Sequence, residues 1–489
     1  MGKQPRICLS ILAALLFFLV SPLCAQTPVF TWVKTAGAST NDSAKFVTTD
    51  PQGNVIVTGY FRETVTFGQT NLTTTDGNLD GYVAKYTTNG TLIWIRQISG
   101  DGSVGDVGYG VTTDSSGNIL VTGNFSGTAT FGGTNLVSAG SHDMFLAKYD
   151  PSGNVLWATR AGGANDDIGL HVAVDSSGNS IVTGYFRNLC SFGTTNLNSG
   201  SSNFSDSYVA KYNSSGQLLW VRQIGGSSFD SGYVAVADAV GNIYATGYFN
   251  TSASVSGTTL TGTSDEMYLV KFDPAGTLLW ARSTGSSGSD KGSSVAIDST
   301  NGVYVSGWFQ NTMAFPGTNL ISRGSYDTFL AKYNVDGTFN WVRQIGGAGA
   351  DFGQSVVVDN SGTICLCGDF QNTITLDNTS LTAANTNAGN SAIFLAKYDS
   401  NGTLTAAKGF GNTRNNHAHI WSANTGELYV AGNFSGSASF DGYSFNSAGD
   451  LDTMVAQLVI PPTLSFSSSG SNLSILWPTN TAGFQLQRT

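Results

Sequence analysis

Short apolar segments rich in β-branched and aromatic residues, separated by polar turn sequences, follow one another along most of the chain and return at a nearly constant spacing. In one copy, residues 145–149 form such a segment, residues 150–154 have a turn sequence, and a second segment carries Trp157. Short segments of this composition, bounded by Gly, Asn and Asp, predict strands between turns. Beyond residues 1–25 no stretch has the spacing of an amphipathic helix, so the pattern predicts an all-β protein.

A tryptophan marks the period of this repeat, because it returns at the same place in the segment after the second turn. The marked positions are Trp32, Trp94, Trp157, Trp220, Trp280 and Trp341, with Ala406 in the seventh place. Intervals of 60 to 65 residues are typical of a repeat architecture. Each repeat contains four strand segments, which we name A, B, C and D in chain order, and the tryptophan lies in D.

Both tight turns of a repeat carry an aspartate that is followed three residues later by a glycine. Examples are Asp114 and Gly117 between A and B, and Asp150 and Gly153 between C and D. The aspartate can accept hydrogen bonds from backbone N–H groups, and the glycine can take the positive φ that closes the turn. Such turns connect antiparallel strands. Four antiparallel strands per repeat, seven times, predict a seven-bladed β-propeller of four-stranded antiparallel blades.

The two ends of the repeat region complement each other. A first D segment at residues 30–33 precedes any A segment, and the last C segment, near residues 453–459, has no D segment after it. We therefore expect the N-terminal strand to complete the last blade and close the ring, which would remove exposed sheet edges. The pattern assigns residues 26–460 to the propeller. It predicts a short β appendage at 461–489, either a truncated β-sandwich-like segment or a loosely packed tail.

Residues 1–25 have the pattern of a secretory signal peptide. Lys3 and Arg6 are basic, residues 7–20 are apolar, and a cleavage site ends at Ala25. The apolar run is too short to cross a bilayer comfortably, and no later stretch is apolar enough to do so. The sequence thus predicts a soluble protein without a membrane span that is secreted or held at the cell surface.

Composition narrows the possible functions. Charged residues make up 11% of the chain, against roughly 25% in an average soluble domain, and the net charge is −10. This acidity disfavours a nucleic-acid partner, because the phosphates would be repelled. Beyond the signal peptide only Cys190, Cys365 and Cys367 remain, and they predict buried core residues rather than disulfides. We expect a monomer.

Several phrases resemble those of a known repeat family. Residues 172–179 read Val-Ala-Val-Asp-Ser-Ser-Gly-Asn, residues 182–186 read Val-Thr-Gly-Tyr-Phe, and Asp206 precedes Ala-Lys-Tyr at 210–212. This wording resembles the bacterial SBBP-type β-propeller repeat family over about residues 30–459. The resemblance implies an exported bacterial propeller and offers no catalytic residues to carry over. Residues 461–489 resemble the start of an immunoglobulin- or fibronectin-like module.

Two sets of acidic residues follow the repeat on the side of the B–C and D–A connections. The first set, a candidate Ca²⁺ site, is Asp42, Asp106, Asp167, Asp230, Asp290 and Asp351. The second set is Asp80, Asp143, Asp206, Glu266, Asp327 and Asp452. Rings of carboxylates can hold Ca²⁺ or meet sugar hydroxyls. Turn caps and ion pairs also use such residues, and this structural interpretation is favoured. No other cofactor is expected.

Basic and aromatic residues of the C–D hairpin offer further candidates. Arginines two residues after the tryptophan, such as Arg96, are predicted to form cross-strand salt bridges with the second acidic set. The strand C lysine, such as Lys85, is expected to lay its stem on the sheet and keep its ammonium in water. The tryptophans could stack on sugars, but their regular position favours packing within blades. His417 and His419 could bind a metal or have a plain structural role.

The sixth repeat departs from the others. Ala406 replaces the tryptophan and Ala392 replaces the acid of the second set, which predicts that Lys408 lacks a cross-strand partner. We therefore expect this repeat to be the least stable.

Together these patterns predict a secreted, non-catalytic binding or scaffold propeller that presents its long-loop acidic face to an extracellular protein or glycan. The alternatives are an extracellular polysaccharide-active enzyme and a purely structural cell-surface protein. An enzyme should have carboxylates that break the sevenfold pattern in one blade, whereas these acids follow the repeat. The sequence also lacks a Gly-x-Ser-x-Gly elbow between a strand and a helix, so nucleophilic catalysis has no support.

Overall fold

A computed structural model describes residues 28–74, 77–285, 287–384, 391–413, 418–422, 427–459, 465–469 and 472–476. Every regular element in these ranges is a β-strand, which confirms the all-β prediction. The described part of the chain accordingly contains no helix long and apolar enough to cross a membrane. The predicted signal peptide lies outside the described residues.

The strands follow the A, B, C, D order of the sequence repeat. Strand A is β2 (Ser43–Thr49), β8 (Val107–Thr113), β14 (Asp167–Val174), β20 (Ser231–Ala237), β24 (Lys291–Ile297), β30 (Phe352–Val358) and β36 (His419–Ser422). Strand B is β3 (Val55–Phe61), β9 (Ile119–Phe125), β15 (Ser180–Arg187), β21 (Ile243–Val255), β25 (Val303–Phe309), β31 (Ile364–Phe370) and β37 (Leu428–Phe434). Strand C is β6 (Asp80–Tyr86), β12 (Asp143–Tyr149), β18 (Ser205–Tyr212), β22 (Thr258–Phe272), β28 (Asp327–Tyr333), β34 (Ser391–Tyr398) and β40 (Asp452–Val459). Strand D is β7 (Leu92–Ile98), β13 (Val155–Gly163), β19 (Leu218–Gly226), β23 (Leu278–Thr284), β29 (Phe339–Gly347), β35 (Leu404–Thr413) and β1 (Val29–Ala36).

We call each set of four strands a unit and number the units in chain order from β2. The strands of a unit pair antiparallel in the order A–B–C–D, as β2-β3-β6-β7 do in unit 1. In unit 7 the order is β36-β37-β40, and β1 from the N-terminal end takes the D place. There Val33 pairs with Ala456 and Thr35 with Met454. The two ends of the repeat region therefore share one sheet.

The sequence predicts long loops for the B–C connections. In the described residues these connections form small hairpins instead. These are β4 (Thr64–Phe67) with β5 (Thr70–Thr73), β10 (Thr128–Phe131) with β11 (Thr134–Val137), β16 (Leu189–Phe192) with β17 (Thr195–Asn198), β26 (Thr312–Phe315) with β27 (Thr318–Ile321), β32 (Thr373–Leu376) with β33 (Thr379–Thr382), and β38 (Ser437–Phe440) with β39 (Tyr443–Asn446). In unit 4 the long strands β21 and β22 form the hairpin themselves. Some hairpins extend the D edge of the preceding unit, since β16 pairs with β13 and β32 pairs with β29.

The core lies between units rather than within them. Each apolar cluster takes side chains from two consecutive units; one joins Ile56 and Val83 of unit 1 to Phe125 and Phe145 of unit 2. Another joins Trp32 and Tyr429 of unit 7 to unit 1. The three cysteines are free and buried, as predicted. Beyond unit 7, β41 (Ser465–Ser469) and β42 (Asn472–Leu476) pair as a hairpin, and the assignment of 461–489 to a truncated module stays a prediction.

Candidate functional site

In units 1 to 6 a bulge near the start of strand A turns one side chain out of the regular pairing. In β8 the register shifts between Gly108 and Gly110, so Tyr109 has no partner of its own on β9. The same shift sets apart Lys45, Leu170, Tyr233, Ser293 and Gln354 in units 1 and 3 to 6. Ala418, just before β36, holds the equivalent place in unit 7. A bulge re-aims the side chain that it carries.

These bulge residues line one shared cavity, which we call the axial cavity. Its volume is about 310 Å³, and Phe46, Val234, Trp308 and His419 complete the lining. Small-molecule sites in proteins commonly measure about 300–1,000 Å³ and are mostly apolar with a few polar groups. The axial cavity is thus a small, mostly apolar recess to which every unit contributes.

Aromatic side chains form one wall of the cavity. The Tyr233 ring centroid lies 5.9 Å from that of Tyr248 and 6.4 Å from that of Trp308, and Phe352 meets Trp308 edge-on at 5.4 Å. Trp308 stands near the end of β25, beside the B–C connection. The aromatic wall therefore lies at the end of the molecule that carries the B–C and D–A connections.

A layer of rings closes the cavity below. The ring centroid of Phe46 lies 3.4 Å from that of His419 and 4.9 Å from that of His171. Burial lowers the pKa of His171 to about 3 and also lowers that of His419, so both imidazoles are neutral near pH 7. Below this layer, towards the A–B turns, a second cavity of about 250 Å³ is lined by residues such as Val236 and Trp421. His417 lies outside the described residues, so the metal hypothesis for the histidine pair stays untested.

The polar groups of the axial cavity are few. Gln354 donates a hydrogen bond from its side-chain amide to the Asp369 carboxyl at 3.1 Å. Burial raises the pKa of that carboxyl to about 8. The Ser293 hydroxyl donates to the carbonyl of Gly353 at 2.5 Å. The Lys45 ammonium lies over the face of the Tyr60 ring, 5.2 Å from the centroid.

The first acidic set places one buried aspartate in each of units 1 to 6. Asp230 accepts hydrogen bonds from the backbone N–H groups of Gly226 at 2.8 Å and Asn250 at 2.9 Å, and its own N–H donates to Ser205 of unit 3. Asp42, Asp106, Asp167 and Asp351 likewise accept from one backbone N–H before strand A and from another at the last residue of strand B or just after it. Asp290 accepts from Gln310.

These contacts make the first set caps of the loop ends. Burial raises the pKa of Asp230 to about 8. The two backbone N–H donors lower this pKa but do not outweigh the burial. In the described residues no three His, Cys, Asp or Glu side chains come close enough to hold a metal ion. Ca²⁺ binding at the candidate positions stays a prediction, and its test is given below.

The predicted salt bridges of the strand D arginines are wrong. Asp80, Asp206 and Asp327 accept hydrogen bonds from the side-chain amides of Gln97, Gln223 and Gln344, each one residue after the arginine position. Successive strand residues point to opposite faces, so a residue two after the tryptophan shares the tryptophan's face. Asp143 does pair with an arginine, Arg160, because Arg160 holds the glutamine place.

The strand D arginines and tryptophans instead donate hydrogen bonds to backbone carbonyls of the next unit. Trp94 donates from Nε1 to the carbonyl of Pro151 at 3.1 Å, and Arg96 donates from Nε to that of Gly153 at 2.9 Å. Gly153 has a φ of 82°, and a Cβ there would lie 2.9 Å from the Trp94 ring. We call this contact between a strand D tryptophan and the C–D turn of the next unit the turn latch. The same ring-on-glycine contact joins Trp32 to Gly90, Trp157 to Gly216, Trp220 to Gly276, Trp280 to Gly337 and Trp341 to Gly402.

The turn latch also corrects the expectation for the strand C lysines. The Lys85 ammonium is buried, 2.8 Å from the Asp50 carboxylate and 3.1 Å from the Pro151 carbonyl that Trp94 also uses. Lys148 and Lys211 pair in the same way with Asp114 and Asp175. The ammonium is out of water because the A–B turn of its own unit and the C–D turn of the next unit meet above it.

Sequence reasoning missed the axial cavity because it looked for residues that repeat. The bulge position holds Lys, Tyr, Leu, Tyr, Ser, Gln and Ala in successive units, while glycine stands before it in most of them. A variable position inside a regular repeat was the available signal. It indicates a side chain that faces something other than the repeated packing.

The comparisons with known proteins support a β-propeller repeat. The family model described as SBBP, β-propeller repeat, matches residues 93–124. An uncharacterised WD repeat-containing protein of Acanthamoeba polyphaga mimivirus is 24% identical over 503 aligned residues, which cover 82% of this chain and 36% of that protein. The regulatory protein FlaEY of Caulobacter vibrioides is 31% identical over 110 residues, 22% of this chain and 12% of its own. The chain thus matches about a third of the length of the first relative and about an eighth of the length of the second.

Similar solved structures share little sequence with the chain. A polysaccharide lyase, an ulvan lyase, is 12% identical with a TM-score of 0.38, covering 71% of this chain and 85% of the lyase. A gluconolactonase from Xanthomonas campestris is 12% identical with a TM-score of 0.32, covering 74% and 97%.

Proposed function

We propose that the units close into a seven-bladed propeller and that the protein is an exported, non-catalytic glycan-binding module with its ligand in the axial cavity. Ring closure is supported by the packing of the A strands, in which β2 touches β8, each next A strand touches its successor, and β36 touches β2. The cavity lined by every unit supports it independently.

The observation that carries the binding role is the lining of the axial cavity. Turn and latch residues recur in most units, whereas the residue at the bulge position differs between each unit and the next. Variable side chains on a rigid repeated scaffold are typical of a binding surface. A glycan is favoured over a protein partner because the site is a small recess with aromatic faces and a few polar groups, and a flat surface would suit a protein better.

The lining also favours binding over catalysis. Glycoside hydrolysis most often uses two carboxyl groups that flank the bond. Among the described residues that line the cavity, none is Asp or Glu. Export is supported by the leader pattern at 1–25, and N-terminal sequencing of the mature protein after expression with that leader should place its first residue after Ala25.

A glycan array with purified protein tests the binding role. We expect a restricted set of glycans to bind, and Trp308→Ala to lose at least tenfold in affinity because the aromatic wall is opened. Phe229→Ala is the matched control, since Phe229 is an exposed aromatic residue on a D–A connection outside the cavity lining. Thermal unfolding checks that both variants fold. Unchanged binding by Trp308→Ala, or cleavage of a bound glycan, would contradict the proposal.

A further inference from the structure

Lys45 is the one charged side chain among the described residues that line the axial cavity. It sits on the bulge of β2, where the other units have uncharged residues. None of the hydrogen bonds or ion pairs among the described residues involves its ammonium, which lies over the Tyr60 ring at 5.2 Å. A charge in a recess is unfavourable unless it is paired. The position is therefore prepared for an anion that comes from outside the chain.

The surroundings give this recess a positive charge in an otherwise acidic protein. The other titratable lining residues are Tyr109, Tyr233 and His419. Burial raises the pKa of both tyrosines and lowers that of the histidine, so all three are neutral near pH 7. Burial lowers the pKa of Lys45 to about 8, and the ammonium is still mostly charged at pH 7. The net charge of the whole chain is −10, so the positive recess is a local feature.

Lys45 and the aromatic wall lie on opposite sides of the cavity. Lys45 belongs to unit 1 and Trp308 to unit 5, which lies three units away in one direction round the ring and four in the other. A ligand that fills the cavity can therefore meet the ammonium at one end and the rings of Trp308 and Tyr233 at the other. Gln354 of unit 6 and Ser293 of unit 5 also line the cavity and offer polar groups for hydroxyls.

We propose that the axial cavity binds an acidic sugar, a hexuronate residue, with its carboxylate on Lys45 and its ring face against Trp308. This inference rests on the proposed glycan-binding function and names its ligand class. A single lysine suits a monoanion, because phosphate-type anions are more often held by arginine forks or several donors. The apolar C–H face of a pyranose suits the aromatic wall, and its hydroxyls suit the amide and hydroxyl groups of Gln354 and Ser293.

Isothermal titration calorimetry on the full mature chain tests this assignment with trigalacturonate, its methyl ester and a neutral galactose oligomer. We expect trigalacturonate to bind at least tenfold more tightly than the two uncharged oligomers. Lys45→Met should abolish that difference, and Lys34→Met, a change at an exposed lysine on β1, should keep it. Thermal unfolding of both variants checks that the cavity variant folds.

A pH series adds a readout that a structural role of Lys45 would not give. The galacturonate carboxylate stays ionised above pH 5, so the ligand keeps its charge between pH 7 and 10. In that range Lys45 loses its proton, and buried carboxyls such as Asp369, which accepts from Gln354 and has a pKa raised to about 8, become ionised. Asp369 is present in both the parent chain and Lys45→Met, so the comparison of the two isolates the titration of Lys45. With a free-state pKa of about 8, the affinity should be constant below pH 7 and fall about tenfold per pH unit above pH 8. Lys45→Met should show no such fall.

The outcomes separate this inference from the function on which it rests. If the neutral oligomer binds as tightly as trigalacturonate and Lys45→Met changes nothing, the acidic-sugar assignment is wrong and glycan binding stands. A sulfated galactose that binds more tightly than trigalacturonate in a Lys45-dependent way would overturn the carboxylate. If glycans bind neither in the array nor in calorimetry, both proposals fail.

Discussion

At the scale of single residues, the glycine of each C–D turn is required for two reasons, its positive φ and the space it leaves for a tryptophan ring. Gly153 takes a φ of 82°, and its missing Cβ leaves room for the Trp94 ring of the preceding unit. Gly178, in an A–B turn, has a φ of 78° but no atom within 4 Å of the place where a Cβ would stand. The repeated aspartate-to-glycine spacing predicts the positive φ of these glycines. The contact with the ring was hidden because it joins residues of different repeats.

This pair of glycines allows a matched test of the turn latch. Gly178→Ala should lower the free energy of unfolding by about 1–2 kcal/mol, because only the backbone is strained. Gly153→Ala should lower it by roughly 2–4 kcal/mol, because the added methyl also pushes against the ring. Chemical denaturation measures both. Equal losses would mean that the ring contact contributes nothing.

The buried aspartates of the first set test the calcium hypothesis at the same scale. Asp230→Ala removes an acceptor of two backbone N–H bonds and should lower the free energy of unfolding by roughly 2–4 kcal/mol. Because these oxygens are already engaged by the chain, we expect the same loss and the same melting temperature with Ca²⁺ and with a chelator. A Ca²⁺-dependent rise in melting temperature that Asp230→Ala removes would instead establish a metal site by mass action.

At the scale of elements, the missing tryptophan of the sixth repeat has a structural reason. A turn latch needs the C–D turn of the next unit, but strands C and D of unit 7 are β40 and β1, from opposite ends of the chain. A ring at position 406 would have no turn glycine to cover. The sequence predicts that Lys408 lacks a cross-strand acidic partner in its own hairpin. Its ammonium pairs instead with Asp441 of unit 7 and donates to the carbonyl of Pro28 at 2.7 Å. Whether unit 6 is the least stable stays a prediction.

This reason predicts an asymmetry between two substitutions. Trp157→Ala should lower the free energy of unfolding by about 3–5 kcal/mol, because a packed ring and its bond to Ser214 are lost. Ala406→Trp should bring no gain, because Ala406 is already buried and no turn lies beyond it. Denaturant titrations compare the two variants with the parent chain. A gain of about 1 kcal/mol or more from Ala406→Trp would show that the site can accept a latch ring after all.

The sequence predicts the strands and turns well. It predicts poorly which residues of neighbouring units are in contact. Short apolar segments and the aspartate-to-glycine turns mark strands A to D, because each depends on residues close in the chain. The B–C hairpins were expected as loops, since their short strands are exposed on one side and leave little apolar signal, as in β10 and β11. The turn latch joins Trp94 to Pro151, 57 residues away, a distance that no local pattern reports.

At the scale of the whole molecule, the candidate site draws its lining from every unit. Each unit supplies one residue at the bulge position, and no unit alone could enclose the axial cavity. The sequence-based sites, the acidic sets and the strand D tryptophans, are absorbed by loop caps and by the turn latch. Chemistry that repeats belongs to the residues that join neighbouring units, and the residues that line the candidate site are those that do not repeat.

Ring closure through β1 is the central claim, because both the cavity and the proposed ligand site depend on it. Hydrogen exchange followed by mass spectrometry on the full mature chain measures it without altering the protein. Residues 29–36 pair with β40, and Phe30 packs against Phe410 with ring centroids 4.9 Å apart. We therefore expect amides of 29–36 to be protected as strongly as those of 92–98, the equivalent strand of unit 1. Exchange of 29–36 within seconds, at the rate of a free chain end, while 92–98 stays protected would contradict closure.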